Sequence, residues 1–145
     1  MLQISQFLAT LCSTIFAGAA IYINIAEHPA RMLADTAAAV TQWAPSYRRA
    51  TFMQAPLALI SFISSVGAWL LGANQWWLIA SLLIGAVVPF TFIAIMPTNQ
   101  RLLASGRDLT SAETRGLLER WGKLHAVRSA LSLTASVLFL WQAHA

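Results

Sequence analysis

The chain has 145 residues, of which 58% are hydrophobic and only 10% charged. Soluble domains carry roughly 25% charged residues, so this composition excludes an ordinary water-soluble domain. Nine Lys and Arg against five Asp and Glu give a formal charge of +4. No nucleic-acid motif accompanies that charge, and cations flanking apolar runs are explained by membrane orientation and anionic lipid head groups.

Four apolar runs follow in order: Phe7–Ile25, Ala55–Leu71, Trp76–Met96 and Leu124–Trp141. Each is near the ~20 residues an α-helix needs to cross ~30 Å of hydrocarbon. The expected fold is all-α, a bundle of four transmembrane helices in one membrane-embedded unit over residues 1–145, with spans about 5–26, 50–71, 75–96 and 122–142. The first run contains Ala17-Gly18-Ala19-Ala20, which looks like a signal-peptide cleavage region, but no basic segment precedes it and it reads as a retained span. Its Cys12, the single cysteine, offers no disulfide within one chain. Asn24, Glu27 and His28 close the run.

After Pro29 the Ala-rich stretch Ala30–Val40 predicts a short helix. The second span carries a polar stripe, Tyr47, Thr51, Gln54, Ala58 and Ser61, at steps of three and four. The third ends in Pro97-Thr98-Asn99-Gln100, below Pro89 and Thr91. Kinks at Pro56 and Pro89 would widen that end of the bundle. Thr110-Ser111-Ala112-Glu113 reads as a capping box with Thr110 as N-cap. The helix it starts can run to Trp141, roughly 45 Å at 1.5 Å per residue, and so projects beyond the bilayer. Trp121, His125, Arg128 and Ser132 form its polar stripe.

Every Lys and Arg lies between Arg31 and Arg128, in two of the gaps or just inside the last run, and the five acids share those gaps. Lys- and Arg-rich short loops stay cytoplasmic. The expected topology therefore puts both charged gaps in the cytoplasm and both termini outside, in a bacterial inner (cell) membrane. Trp69, Trp76, Trp77 and Trp141 are expected as an outer aromatic belt, with Trp43 and Trp121 at the inner boundary.

The strongly polar intramembrane groups all sit at the charged end of their helices. Lipid offers them no partner, so they are expected to converge on a pocket of Asn24, Glu27, His28, Tyr47, Gln54, Asn99, His125 and Arg128. Structural roles stand beside this expectation. Ser61, Ser65, Ser81, Gly85, Ser132 and Ser136 fit small-residue helix packing, and Gln54 and Asn99 fit interhelical hydrogen bonding. Arg128 fits snorkelling to head groups, and His144 an unconstrained tail.

Gly18-Ala19-Ala20-Ile21-Tyr22-Ile23 with Glu27-His28-Pro29-Ala30-Arg31, then Trp43, Tyr47-Arg48-Arg49-Ala50 and Met53-Gln54-Ala55-Pro56, form one set of blocks. Pro89-Phe90-Thr91, Ile95-Met96-Pro97-Thr98-Asn99, Trp121, His125 and Arg128 form the other. Together they resemble the anthrone oxygenase-like family of small four-helix integral membrane proteins. The resemblance implies a four-helix bundle and, for the fungal polyketide members, oxidation of an anthrone to an anthraquinone with molecular oxygen.

Such chemistry needs a base, donors for an oxyanion and a dry pocket. His28 or His125 would be the base, Glu27 its orienting group, and Arg128, Asn99 or Tyr47 the anion stabilisers, with Asn24, Gln54, Trp121 and Thr98 on the substrate. In a metal-dependent version, His28, His125 and Glu27 hold iron or copper as an oxygen-activating ligand set. The same two histidines could instead hold a heme, or the site could work without a cofactor. The expected partners are the bilayer, a small hydrophobic substrate, oxygen and a second copy in a homo-oligomer. The competing class is a non-catalytic binding, transport or scaffold protein. A transporter would continue its polar path across the membrane, whereas the outer halves here are nearly all apolar.

Overall fold

The computed structural model describes residues 1–144. Four helices, α1 (Leu2–Arg31), α2 (Thr36–Leu70), α3 (Gln75–Leu102) and α4 (Ala112–His144), are each long and apolar enough to cross a membrane. The charged residues gather at the ends joined by the segments 32–35 and 103–111.

Local chemistry sets the boundaries. Asp35 caps α2 by accepting the Ala38 N–H at 2.8 Å, and Asn74 caps α3 by accepting the Trp76 N–H at 3.0 Å. Gly72, at φ +99°, supplies the left-handed residue that ends α2. The Ala-rich stretch is not a separate helix: its first residues finish α1, a turn follows, and the remainder opens α2. The cap of α4 is also shifted by one residue. Ser111 Oγ accepts the Thr114 N–H at 3.1 Å, while the Thr110 hydroxyl and N–H both donate to Asp108. Those two bonds hold the Asp108 carboxyl below its ordinary pKa. Glu113 cannot fold back to complete a capping box because its carboxylate pairs with Arg101 at 2.6 Å and lies 3.6 Å from Arg107.

α1 and α3 each contain one π-helical turn, Ile23–Glu27 and Thr91–Ile95. Both end two residues before a proline, Pro29 and Pro97. Proline lacks an N–H and its ring meets the carbonyl four residues back, here Ile25 or Ile93, so a locally wider turn accommodates it. α2 stays α-helical through Pro45 and Pro56, as α3 does through Pro89. The wider turns thus lie beside Pro29 and Pro97, while Pro56 and Pro89 sit in α-helical backbone.

The helices form a ring in which α1 and α3 each pack against both α2 and α4. One apolar layer holds Phe16, Trp77, Ile84 and Phe139; a second, towards the charged end, holds Trp43, Ile95, Leu118 and Trp121. Trp43, Trp77 and Trp121 are 0%, 1% and 4% exposed, so these three are core residues and not interface anchors. Their partners explain it: Trp77 packs on Phe139 at 5.2 Å, and Trp43 meets Trp121 edge-on at 5.8 Å. Trp69, Trp76 and Trp141 do face outward. Small buried residues let helices approach: Ser13 and Ser136 share a hydrogen bond at 2.7 Å, and Ser61 donates to the Ala9 carbonyl at 2.9 Å.

Gly85 shows how close α2 and α3 come. A β-carbon there would stand 2.7 Å from the Phe62 ring. Gly85→Ala is expected to lower thermal stability in detergent by about 1–3 kcal/mol through overpacking, and Phe62→Leu in the same chain to recover most of it.

Candidate functional site

The polar centre is built on α4, where Trp121, His125, Arg128 and Ser132 are all buried. Asn24, inside the π-turn of α1, joins it from the neighbouring helix. Asn24 Nδ2 donates to the Gly122 carbonyl at 3.0 Å. A carbonyl only accepts, so the amide orientation is determined and Oδ1 faces His125. Oδ1 then receives the Ser129 hydroxyl at 2.6 Å and His125 Nδ1 at 2.7 Å. Nδ1 therefore carries a hydrogen, and in the neutral form of the ring the lone pair is on Nε2. Nε2 has no hydrogen-bond partner among the described residues. The ring stacks on Trp121 with centroids 4.8 Å apart.

One turn on, Arg128 donates from Nη2 to Gln54 Oε1 at 3.0 Å and lies over the Phe16 ring at 5.4 Å. Its Nε and the Gln54 Nε2 are buried without partners. A small cavity of about 10 Å³ lies among Tyr47, Thr51, Gln54, Trp121, His125 and Arg128. That volume admits about one water. Tyr47 is held on its far side by stacking on Trp43, with centroids 5.1 Å apart.

A second polar cluster centres on Arg31, which is only 6% exposed. Its guanidinium donates to Glu27 and to Gln42, and its Nη1 lies 3.2 Å from His28 Nδ1. Guanidinium cannot accept, so His28 Nδ1 is the acceptor and its lone pair is used. Glu27 also receives the Ser46 hydroxyl. The other edge of His28 lies against α4 at Gly122, where a β-carbon would come within 2.6 Å of Nε2. The imidazole therefore packs into the notch that this glycine leaves.

Of the residues expected at the site, Tyr47, Gln54, Trp121, His125 and Arg128 border one cavity, with Asn24 directly behind His125. Glu27 and His28 belong to the Arg31 cluster, which meets the first through Trp121, 5.2 Å from the His28 ring and 6.0 Å from the Arg31 guanidinium. Thr98 and Asn99 are buried but do not line that cavity, and both Asn99 amide atoms lack partners. The set His28, His125 and Glu27 is not assembled for a metal: no group of three His, Cys, Asp or Glu side chains among the described residues is placed to hold one. Salt bridging and the tautomers explain why. Glu27 is taken up by Arg31, His28 Nδ1 by Arg31 and His125 Nδ1 by Asn24. The common neighbour of both imidazoles is the Trp121 indole.

Arg31 and Ser129 were missed from sequence. Arg31 stands four residues after Glu27 and three after His28, the spacings that face one another on a helix, so the pairing signal was present. Ser129 gave no signal apart from its place four residues after His125.

A family profile described as anthrone oxygenase matches residues 43–138. The anthrone oxygenase ptaC of Pestalotiopsis fici is 35% identical, over 75% of this chain and 90% of its own. The chain belongs to the anthrone oxygenase family. It is also similar to the anthrone oxygenase tpcL of Aspergillus fumigatus, 43% identical over 45% of this chain and 42% of that protein. An anthrone oxygenase of Claviceps purpurea is 27% identical over 72% of this chain and 67% of its own. These relatives are fungal, so the bacterial inner membrane expected from sequence has no support; what stands is an integral membrane protein. No solved structure matches the chain.

Removing Arg31 strands a partly buried carboxylate. Arg31→Met is expected to cost about 3 kcal/mol in unfolding measurements, and Glu27→Gln combined with it to restore most of the loss.

Proposed function

We propose that this protein oxidises a small hydrophobic aromatic of the anthrone type with molecular oxygen, using His125 as base and Arg128 as the anion-stabilising cation. The reading is supported by the family, whose relatives are named anthrone oxygenases, and by one observation in particular. The Gly122–Asn24–His125 chain occupies Nδ1 and leaves Nε2 unpartnered, on the same helix face as a buried guanidinium with a spare donor.

The chemistry then balances. Nε2 takes a proton from the methylene opposite the anthrone carbonyl, and the electron pair moves onto the carbonyl oxygen. Arg128, assisted by the Tyr47 hydroxyl, stabilises that oxyanion in a site with little water. The electron-rich ring carbon bonds to oxygen, giving a peroxide. Loss of the second hydrogen with O–O cleavage leaves the new carbonyl and releases one water. One anthrone and one O₂ thus become one anthraquinone and one H₂O. The substrate anion supplies the electrons.

His28 differs from His125 in this scheme. Its accepting nitrogen is engaged by Arg31, and its ring fits the Gly122 notch, so its role is to hold α1 against α4. Asn24 is a positioning residue that sets the His125 tautomer. The charged loops are assigned to the cytoplasmic side on the positive-inside rule.

His125→Gln is expected to lower kcat for an anthrone about 10²–10⁴-fold in a coupled oxygen-uptake and quinone-absorbance assay, with the fold retained. Unchanged turnover would remove His125 from the chemistry. The topology is tested separately by Ser105→Cys in a Cys12→Ser background. An impermeant maleimide should label it only after the membrane is opened, and labelling of intact cells would reverse the orientation.

A further inference from the structure

Tyr47, Thr51 and Arg128, which line the small cavity at His125, also line a second cavity of about 110 Å³ that lies between α2 and α3. Its inner wall is Phe16, Ala58 and Val87, all buried. Its outer wall is Ala55, Val88 and Phe92, all exposed on the helix surface, with Val88 41% and Phe92 63% exposed. No Asp, Glu, Lys or Arg lies in residues 50–70 of α2 or 75–100 of α3, so this outer rim sits within the stretches that hydrocarbon covers.

We propose that the cleft between α2 and α3 is a lateral entrance through which a flat aromatic substrate passes from the acyl-chain region of the bilayer to Arg128. The proposal rests on the oxygenase reading above and assigns its substrate a route and a chemical class: a fused-ring hydrocarbon body carrying one acidic or carbonyl oxygen at its leading edge. The polarity of the cleft matches such a body. The Thr91 hydroxyl is already bonded to the Val87 carbonyl at 2.7 Å, which leaves the α3 wall apolar. Besides Thr91, the polar lining is limited to Tyr47, Thr51 and Arg128, the residues shared with the smaller cavity; of these Arg128 is buried, Tyr47 half-buried and Thr51 exposed.

Backbone features favour widening there. Thr91 and Phe92 lie in the π-turn of α3, and small residues, Ala55 and Ala58, face them from α2. The 110 Å³ volume is below the roughly 300 Å³ of ordinary small-molecule sites. A fused-ring substrate therefore either spreads the two helices or keeps its trailing edge in lipid. A mouth open to the bilayer permits both.

The test uses the whole protein in phospholipid vesicles with 1-hydroxyanthraquinone as probe, read by quenching of tryptophan fluorescence. Ala55→Phe and Val88→Phe, one on each side of the mouth, should weaken probe binding by about tenfold or more, the scale expected when a ring fills an entrance. Ile63→Phe, lipid-facing on α2 but outside the cleft, should bind as wild type. Wild-type binding by both rim variants overturns the entrance. Its sidedness is read from a fluorophore on Ala55→Cys in a Cys12→Ser background. Quenching by acyl-chain-brominated lipid is expected, and quenching by aqueous iodide instead overturns a lipid-facing mouth. If the rim variants lose the probe yet the wild type oxidises no anthrone, the entrance stands and the oxygenase reading fails.

Discussion

A hydrogen-bonding side chain in hydrocarbon finds no solvent to bond, so it must find another side chain or backbone group in the bundle. Much of this structure follows from that constraint. Asn24, His125 and Ser129 are three polar groups at membrane depth, and they meet on a single amide oxygen. The same amide's nitrogen reaches the Gly122 carbonyl, so α1 and α4 are tied in one register. The tie also selects the histidine tautomer. The same few groups thus satisfy one another's hydrogen bonds and fix the orientation of the His125 ring.

Charge is handled by the same rule, with a different result in two places. Arg31 is buried with a full set of acceptors, Glu27, Gln42 and His28, and acts as a cross-brace between α1 and α2. Arg128 is buried with an incomplete set: Gln54 and the face of Phe16, but nothing on Nε. Unpaired donors in the interior are costly, and their usual explanation is a missing water or ligand. Arg128 therefore has donor capacity left for a further acceptor, whereas each of the three Arg31 guanidinium nitrogens already has a partner.

The two π-turns connect backbone and site. Each prepares a proline, and each lies where a helix borders the polar end. The first carries Asn24 and Glu27, which serve the two different clusters; the second carries Thr91 and Phe92, which line the cleft. The Glu-His-Pro and Met-Pro-Thr-Asn blocks thus have a shared physical reading: a proline, the wider turn before it, and polar groups presented on either side. The sequence marks these blocks but not the π-turns inside them. Pro56 and Pro89 sit in α-helical backbone while Pro29 and Pro97 each follow a wider turn, a difference that composition does not reveal.

Composition and spacing alone determined the four apolar helices, the concentration of charge at two loops, and the burial of the stripe Trp121–His125–Arg128–Ser132; of the stripe Tyr47–Thr51–Gln54–Ala58–Ser61 the last three are buried, Tyr47 is half-buried and Thr51 is exposed. These are consequences of hydrocarbon thickness and helical period, which act within one segment. Partner choice was decided only by tertiary structure. Glu27 bonds Arg31 instead of orienting a base, Asn99 lies away from the cavity, and the three proposed metal ligands do not converge. Trp43, Trp77 and Trp121 illustrate the same limit: an indole near a span end suits an interface or a core equally, and the facing helix decides. The two histidines looked alike in sequence. They differ because one nitrogen faces a donor that cannot accept and the other an acceptor that cannot donate, a distinction that exists only between helices brought together.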